Sequence, residues 1–283
     1  MKGFLITCVL FGVLLLQTSV QGAPNTGDVL KPDTAGNSGG KVSAQILSGS
    51  KATPKQIPWH ALLVIDSSKV CGGSVISSLW VVTTASVVMK SRTIVIHIGG
   101  VDYYNKYETG EVVVTTKTYI VHEKFNNRSY NNDIAVVKIT PKELLLSEYI
   151  RPIRLPKNSQ ATLTFAGLTM QACGYGKTGS GGVSSSLNYV NLITMANADC
   201  VKAFSSYYVI SSTICTAVDA TKAICDGDVG GSLAYKESDG NWTLIGIASF
   251  QNQRSCVNYP AAYTRVQNFL DWISKKTGIV ISP

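Results

Sequence analysis

The side chains that could do chemistry are few. Seven cysteines and three histidines, His60, His97 and His122, occur in 283 residues. Nothing in their spacing suggests a metal cage, so no metal and no cofactor is expected. Asp228 sits in a glycine-rich turn, Cys225-Asp-Gly-Asp-Val-Gly-Gly-Ser-Leu233. Asp133 stands in Asn131-Asn-Asp-Ile-Ala-Val-Val-Lys-Ile139, a lone acid at the mouth of an apolar run. A carboxylate buried there needs hydrogen-bond donors, or its pKa rises. Two sequons, Asn127-Arg128-Ser129 and Asn241-Trp242-Thr243, offer N-glycosylation at Asn127 and Asn241 in polar, turn-like surroundings.

An odd cysteine count is explained at the N-terminus. Met1-Lys2 precedes an apolar run from Phe4 to Leu16, and small residues follow at Val20 and Gly22. This pattern predicts a secretory signal over residues 1–22, cut before or just after Ala23. The run is shorter than the roughly 20 residues a membrane span needs, and no later segment is long and apolar enough. Removing Cys8 leaves six cysteines, Cys71, Cys173, Cys200, Cys215, Cys225 and Cys256, which allow fifteen pairings in an oxidising, extracellular compartment.

These residues must be placed by the elements around them. Residues 23–45 are rich in Gly, Pro, Asn, Ser and Thr and read as a flexible leader. From Ile46 onward, short β-branched runs such as Trp80-Val-Val-Thr83, Thr93-Ile-Val-Ile-His-Ile98 and Leu244-Ile-Gly-Ile-Ala-Ser-Phe250 alternate with turns, the pattern of an all-β sandwich or barrel. Only the end of the chain has a helical period. Val266, Phe269, Leu270 and Ile273 share one face, Lys275 and Lys276 fall in the last turn, and Gly278 follows as a stop. The net charge of +8 invites an anionic partner, but the basic residues are scattered. Nucleic acid is not expected, and weak polyanion binding stays open.

Three segments in fixed order carry a resemblance: Trp80-Val-Val-Thr-Thr-Ala-Ser86, Asn131 to Ile139, and Cys225 to Leu233. They resemble the WVLTAAHC, NDIALLKL and CxGDSGGPL segments of the chymotrypsin/trypsin-like serine proteases. Supporting matches run from Ile46-Leu-Ser-Gly49 to Tyr259-Pro-Ala-Ala-Tyr-Thr-Arg-Val266. The resemblance implies two packed six-stranded antiparallel β-barrels with a C-terminal α-helix. The domain would span 46–283, with barrels at about 46–155 and 156–265 and the helix at about 266–277.

In that family a serine attacks the acyl carbon, a histidine takes its proton and an aspartate orients the imidazole. Here Ser86 stands at the histidine position and Val229 at the nucleophile position, so only Asp133 is kept. Valine has no lone pair, and an alcohol is no base near neutral pH. The resemblance therefore leads to the expectation of a catalytically inactive homologue, a secreted pseudoprotease with no catalytic residue. It would bind or regulate an extracellular protein partner such as a protease, an inhibitor or a surface component. Two alternatives are an endopeptidase with an unrecognised mechanism and a polyanion-binding protein. His122 matches a structural position of the family. Ser249 matches the serine that bonds the triad aspartate, so the hydroxyls of Ser249 and Ser86 are both expected beside Asp133.

The resemblance also assigns Gly227 and Val229 as backbone donors of an oxyanion hole. Asp228 becomes the partner of a new amino terminus at Ile46. Gln45, not Arg or Lys, precedes Ile46, so maturation is expected near Lys41 or not at all. Ala223 replaces the acid of a trypsin-like specificity pocket, while Gln251 and Ala261 replace glycines of its wall, so no deep pocket is expected. Disulfides Cys200–Cys215 and Cys225–Cys256 are implied. Cys71 and Cys173 are left either bonded to each other or as free or intermolecular thiols.

Overall fold

Alternation of side chains across a strand makes one face of each run apolar. In the computed structural model, which describes residues 49–105, 108–177, 183–252 and 255–283, these faces close over apolar cores. The predicted signal, the leader, Lys41, Gln45 and Ile46 lie outside the described residues.

The strands are β1 (Ser50–Lys51), β2 (His60–Ile65), β3 (Lys69–Ser77), β4 (Trp80–Thr83), β5 (Ile94–Ile98), β6 (Val112–Thr116), β7 (Tyr119–Val121) and β8 (Ala135–Lys138). After the connection come β9 (Thr169–Gly174), β10 (Asn188–Met195), β11 (Thr213–Thr216), β12 (Ser232–Lys236), β13 (Trp242–Gln251) and β14 (Ala261–Arg265). One antiparallel sheet runs β6-β5-β2-β3-β4-β8-β7 and stays open as a half-barrel. The other runs β1-β10-β11-β14-β13-β12-β9, and pairing of β9 with β10 closes six of its strands into a barrel. The fold is thus all-β with two packed barrel-like sheets. Strand β1, too short to read from sequence, crosses from the start of the first half to pair with β10.

β5 shows the period directly: Ile94, Ile96 and Ile98 are buried while Val95 and His97 are half-buried. β2 is buried along its whole length. Ala61, Leu63 and Ile65 enter one core and Leu62 another, because the second sheet covers the face that would otherwise meet water. At the chain end, Val266–Phe269 form a 3-10 turn that leads into a terminal α-helix, Leu270–Thr277. Gly278, at φ 77°, ends it in the left-handed conformation that glycine adopts without strain.

Candidate functional site

The candidate site lies where the two sheets meet. After β4 the chain turns into a one-turn helix, Ala85–Val88. The first N–H groups of any helix lack partners within it. Here the Ser86 N–H donates to Asp133 Oδ1 at 2.7 Å, so a carboxylate from the loop before β8 caps the turn. The Ser86 hydroxyl donates to Asp133 Oδ2 at 2.9 Å. From β13 of the other sheet, the Ser249 hydroxyl donates to the same oxygen at 2.7 Å. Thr264 of β14 donates to the Asp133 carbonyl at 2.7 Å. Asp133 is fully buried, and burial raises its pKa to about 6 against the pull of the Ser249 and Ser86 donors. Ser86 itself is only half-buried. Asp133 thus sits among three donors, one of them the hydroxyl of a half-buried serine.

The glycine-rich turn enters from the second sheet. Gly72 N–H donates to the Val229 carbonyl at 2.8 Å, and the Thr83 hydroxyl donates to the Gly72 carbonyl at 2.8 Å, so β3 and β4 hold the turn in place. Gly230, at φ +87°, lies against the Gly72 carbonyl and Thr83 hydroxyl, where a Cβ would overlap both. The Val229 side chain is buried and packs in the core with Phe250, Cys200 and Cys215. Asp228 N–H donates to the Cys225 carbonyl and Gly231 N–H to the Asp228 carbonyl. Among the described residues, the N–H groups of Gly227 and Val229 have no such acceptor. Two unengaged backbone donors in one turn are what an oxyanion hole requires.

Asp228 points away from this turn into the interior. Its carboxylate accepts from Gly176 N–H at 2.8 Å and from Cys225 N–H at 2.9 Å. No cation pairs with it among the described residues. Burial raises its pKa to about 7 despite both donors. Gly174 and Gly176 flank it so closely that a Cβ on either would overlap the carboxylate.

Ala223, Gln251 and Ala261, expected at a specificity pocket, lie in the interior. Ala223, Ile224, Gln251 and Ala261 are all buried, and Gln251 pairs with Ala261 across β13 and β14. Disulfides join Cys200 to Cys215 and Cys225 to Cys256. Cys173 is a buried thiol outside any disulfide, so the Cys71–Cys173 bond left open by the sequence does not form. Its sulfur lies 3.4 Å from His60 Nδ1 and 3.2 Å from the Ser232 hydroxyl. Sequence reasoning missed this group. The only signal was a histidine at the head of an otherwise apolar strand, His60-Ala-Leu-Leu-Val-Ile65. Burial holds the thiol up at about 12 and the imidazole down at about 3, so both stay neutral and neither serves the cleft. His97 pairs with Glu111 at 2.8 Å, and His122 packs its ring on Phe269 and Trp272. Asn127 and Asn241 are exposed.

Comparison with known proteins gives one consistent result. The trypsin family profile matches residues 46–273. A collagenase of Hypoderma lineatum is 32% identical over 241 residues, covering 83% of this chain and 88% of the relative. A brachyurin of Leptuca pugilator is 34% identical over 235 residues, 83% of this chain and 99% of the relative. A chymotrypsin-C of Mus musculus is 28% identical over 275 residues, 94% and 99% respectively. Among solved structures, HL collagenase superposes with a TM-score of 0.75 at 30% identity, covering 83% of this chain and all of that one.

These relatives carry the names of proteolytic enzymes, and they overturn the expectation of a non-catalytic homologue and of a chain that is not an enzyme. The physical error lay in giving two side chains the whole weight. Ser86 and Val229 stand where the sequence reading expected a base and a nucleophile, but Asp133 keeps its hydroxyl donors and the Gly227 and Val229 N–H groups have no backbone acceptor among the described residues. In this class of site, residual donors and binding alone retain roughly 10³–10⁴-fold catalysis over water.

Proposed function

Since the chain belongs to the trypsin family, we propose that it is a serine-type endopeptidase whose reaction runs from Ser86 and Asp133. The observation that carries this reading is the 2.9 Å hydrogen bond from the half-buried Ser86 hydroxyl to Asp133, a carboxylate whose pKa of about 6 suits a base at neutral pH. Ser86 Oγ bonds to the scissile carbonyl carbon while its proton passes to Asp133. The carbonyl oxygen takes up negative charge, and the N–H groups of Gly227 and Val229 receive it. The C–N bond then breaks as Asp133 returns the proton to the departing amine. Water opens the resulting ester with Asp133 again as base. Without an imidazole to carry the proton, turnover is slow: in a related triad, loss of the base alone costs about 10⁶ in kcat.

The same reading places the protein outside the cell, with the signal at residues 1–22 removed and glycans on Asn127 and Asn241. Purified full-length protein, incubated for days with unfolded protein substrates, is expected to release new amino termini. Ser86→Ala is expected to abolish that release. Equal cleavage by wild type and Ser86→Ala, or none by either, overturns the reading.

A further inference from the structure

The segment after β8 carries three consecutive leucines, Leu144-Leu145-Leu146, and the fold treats them unequally. Leu144 is buried in an apolar core, and its N–H donates to the Ser78 carbonyl at 2.8 Å. Ile150 is buried in the same core, and its carbonyl accepts from the Ser147 N–H at 3.0 Å. Between these two anchors Leu145 and Leu146 are held outward, 85% and 52% exposed. Leu79, 38% exposed, lies on the facing turn between β3 and β4. The Ser78 hydroxyl ties that turn to Glu143 Oε2 at 2.8 Å. Three leucines from two tethered loops thus form one apolar patch open to solvent. Cations surround it. Lys142 precedes the leucines and is exposed. Arg151 folds back on the loop, its Nε donating to the Ser147 carbonyl at 3.4 Å. Lys138 of β8 sits over the Trp80 ring, 5.9 Å from its centroid, and the next N–H along the chain, that of Ile139, donates to the Leu79 carbonyl. Among the described residues none of these three cations is in an ion pair. Of the two acids on the segment, Glu148 is paired with Lys55 at 2.7 Å and Glu143 is bonded to Ser78. The local charge is therefore positive, in the same sense as the net +8 of the chain.

From this arrangement we propose that Leu79, Leu145 and Leu146 form a membrane-contact surface, which seats the protein on a lipid bilayer bearing anionic headgroups. Aliphatic side chains reach the acyl boundary, while lysine and arginine lay their apolar stems beside them and keep the charge at headgroup level. A protein partner suits the patch less well. Hot spots at protein interfaces are built from Trp, Tyr and Arg, and leucine is under-represented there. A bilayer needs no matching shape, only apolar tips and the opposite charge. Three leucines insert far less apolar surface than a spanning segment, so the attachment is reversible, and its electrostatic part weakens as salt screens the cations. The cleft takes no part in this contact. The proposal stands whatever reaction Ser86 performs.

Cosedimentation with vesicles tests it. The protein is purified from a secreting host with its first residue checked, because the apolar run Phe4 to Leu16 would bind lipid by itself. Wild type is expected to bind phosphatidylcholine vesicles containing about one-third phosphatidylserine, more tightly at low salt than at high. Leu145→Ser combined with Leu146→Ser is expected to lower the partition coefficient at least about thirtyfold, about fivefold for each leucine withdrawn from the acyl boundary. Lys142→Gln combined with Arg151→Gln is expected to lower it about thirtyfold on the mixed vesicles and to change nothing on phosphatidylcholine alone. Both leucines are exposed, so the serine variant is expected to melt as wild type does. If it does not, Leu145→Trp takes its place, and its emission is expected to shift to the blue on mixed vesicles relative to wild type. No binding by wild type, equal binding by wild type and the folded serine variant, or an unshifted tryptophan overturns the proposal. A wild-type dimer that the serine changes dissolve, without vesicle binding, also overturns it and assigns the patch to a second copy of the chain.

Discussion

Removing the Ser249 hydroxyl tests how Asp133 is kept charged. Asp133 is buried completely and has three donors, of which Ser249 Oγ at 2.7 Å is the one supplied by the other sheet. A hydrogen bond to a charged group contributes about 1.5–3 kcal/mol against about 1 kcal/mol to the neutral acid, a difference of roughly 0.5–2 kcal/mol or 0.4–1.5 pKa units. Ser249→Ala should therefore lift the Asp133 pKa from about 6 to roughly 6.5–7.5. The sign of the stability effect follows from proton counts. The unfolded carboxyl titrates near 3.8 and the folded one higher, so between those values the folded state holds the extra proton. Stability then falls as pH rises through the window and levels off above the folded pKa. In Ser249→Ala the fall continues for roughly another half to one and a half units. Below pH 4 the variant should lose only a neutral hydrogen bond, about 1 kcal/mol. At pH 8 to 9 the deficit should be larger by about 0.5–2 kcal/mol, for a total of about 1.5–3 kcal/mol. Urea unfolding of both proteins at the two pH values reads this difference, and titrations common to both cancel. A deficit that does not change with pH refutes the account of Asp133.

His60 should show the opposite sign. Burial depresses its pKa from 6.5 to about 3, so the unfolded state binds the proton first and stability is lost as pH falls through that window. His60→Gln should gain on wild type by about 1.4 kcal/mol per pH unit below 6.5, measured by denaturant titration. Replacing Cys225 and Cys256 together by alanine opens a loop with a sequence separation of 31 and should lower stability by about 3–4 kcal/mol in thermal or urea unfolding. Gly176→Ala should be among the most damaging single changes, because its Cβ would overlap the buried Asp228 carboxylate. A near-normal melting temperature for that variant would show that the turn tolerates movement.

How much could be read in advance depended on how far apart the determinants lie. The β-branched runs of β4 and β5 carry their own period, and the stripe Val266, Phe269, Leu270 and Ile273 marked the terminal helix, although its first turn tightened into a 3-10 turn. β1 escaped because a two-residue strand has no period, and its partner β10 is more than a hundred residues away. The openness of the first sheet depends on where β6 and β7 end, which no local pattern states. At the site, quoted motifs brought out Ser86, Asp133 and Val229, and the fold sets Ser86 and Ser249 on one carboxylate. What those residues do was misjudged, because two replaced side chains were given more weight than the backbone donors expected at Gly227 and Val229. Gln251 was readable only as bulk where the resemblance has a glycine. Its two hydrogen bonds run to Ile224 and Asp226, which only the folded frame brings across from it. The Cys173–His60–Ser232 group was invisible for the same reason, since its members come from three distant strands.

The central claim is that Ser86, activated by Asp133, is the nucleophile of a slow endopeptidase. A fluorophosphonate probe, left with the folded protein and mapped by mass spectrometry, tests it most directly. The account predicts a single phosphonylated residue, Ser86, with labelling that rises as Asp133 ionises near pH 6 and disappears in Asp133→Asn. A folded protein that stays unlabelled after prolonged exposure, or that is labelled elsewhere while Ser86 is spared, contradicts it.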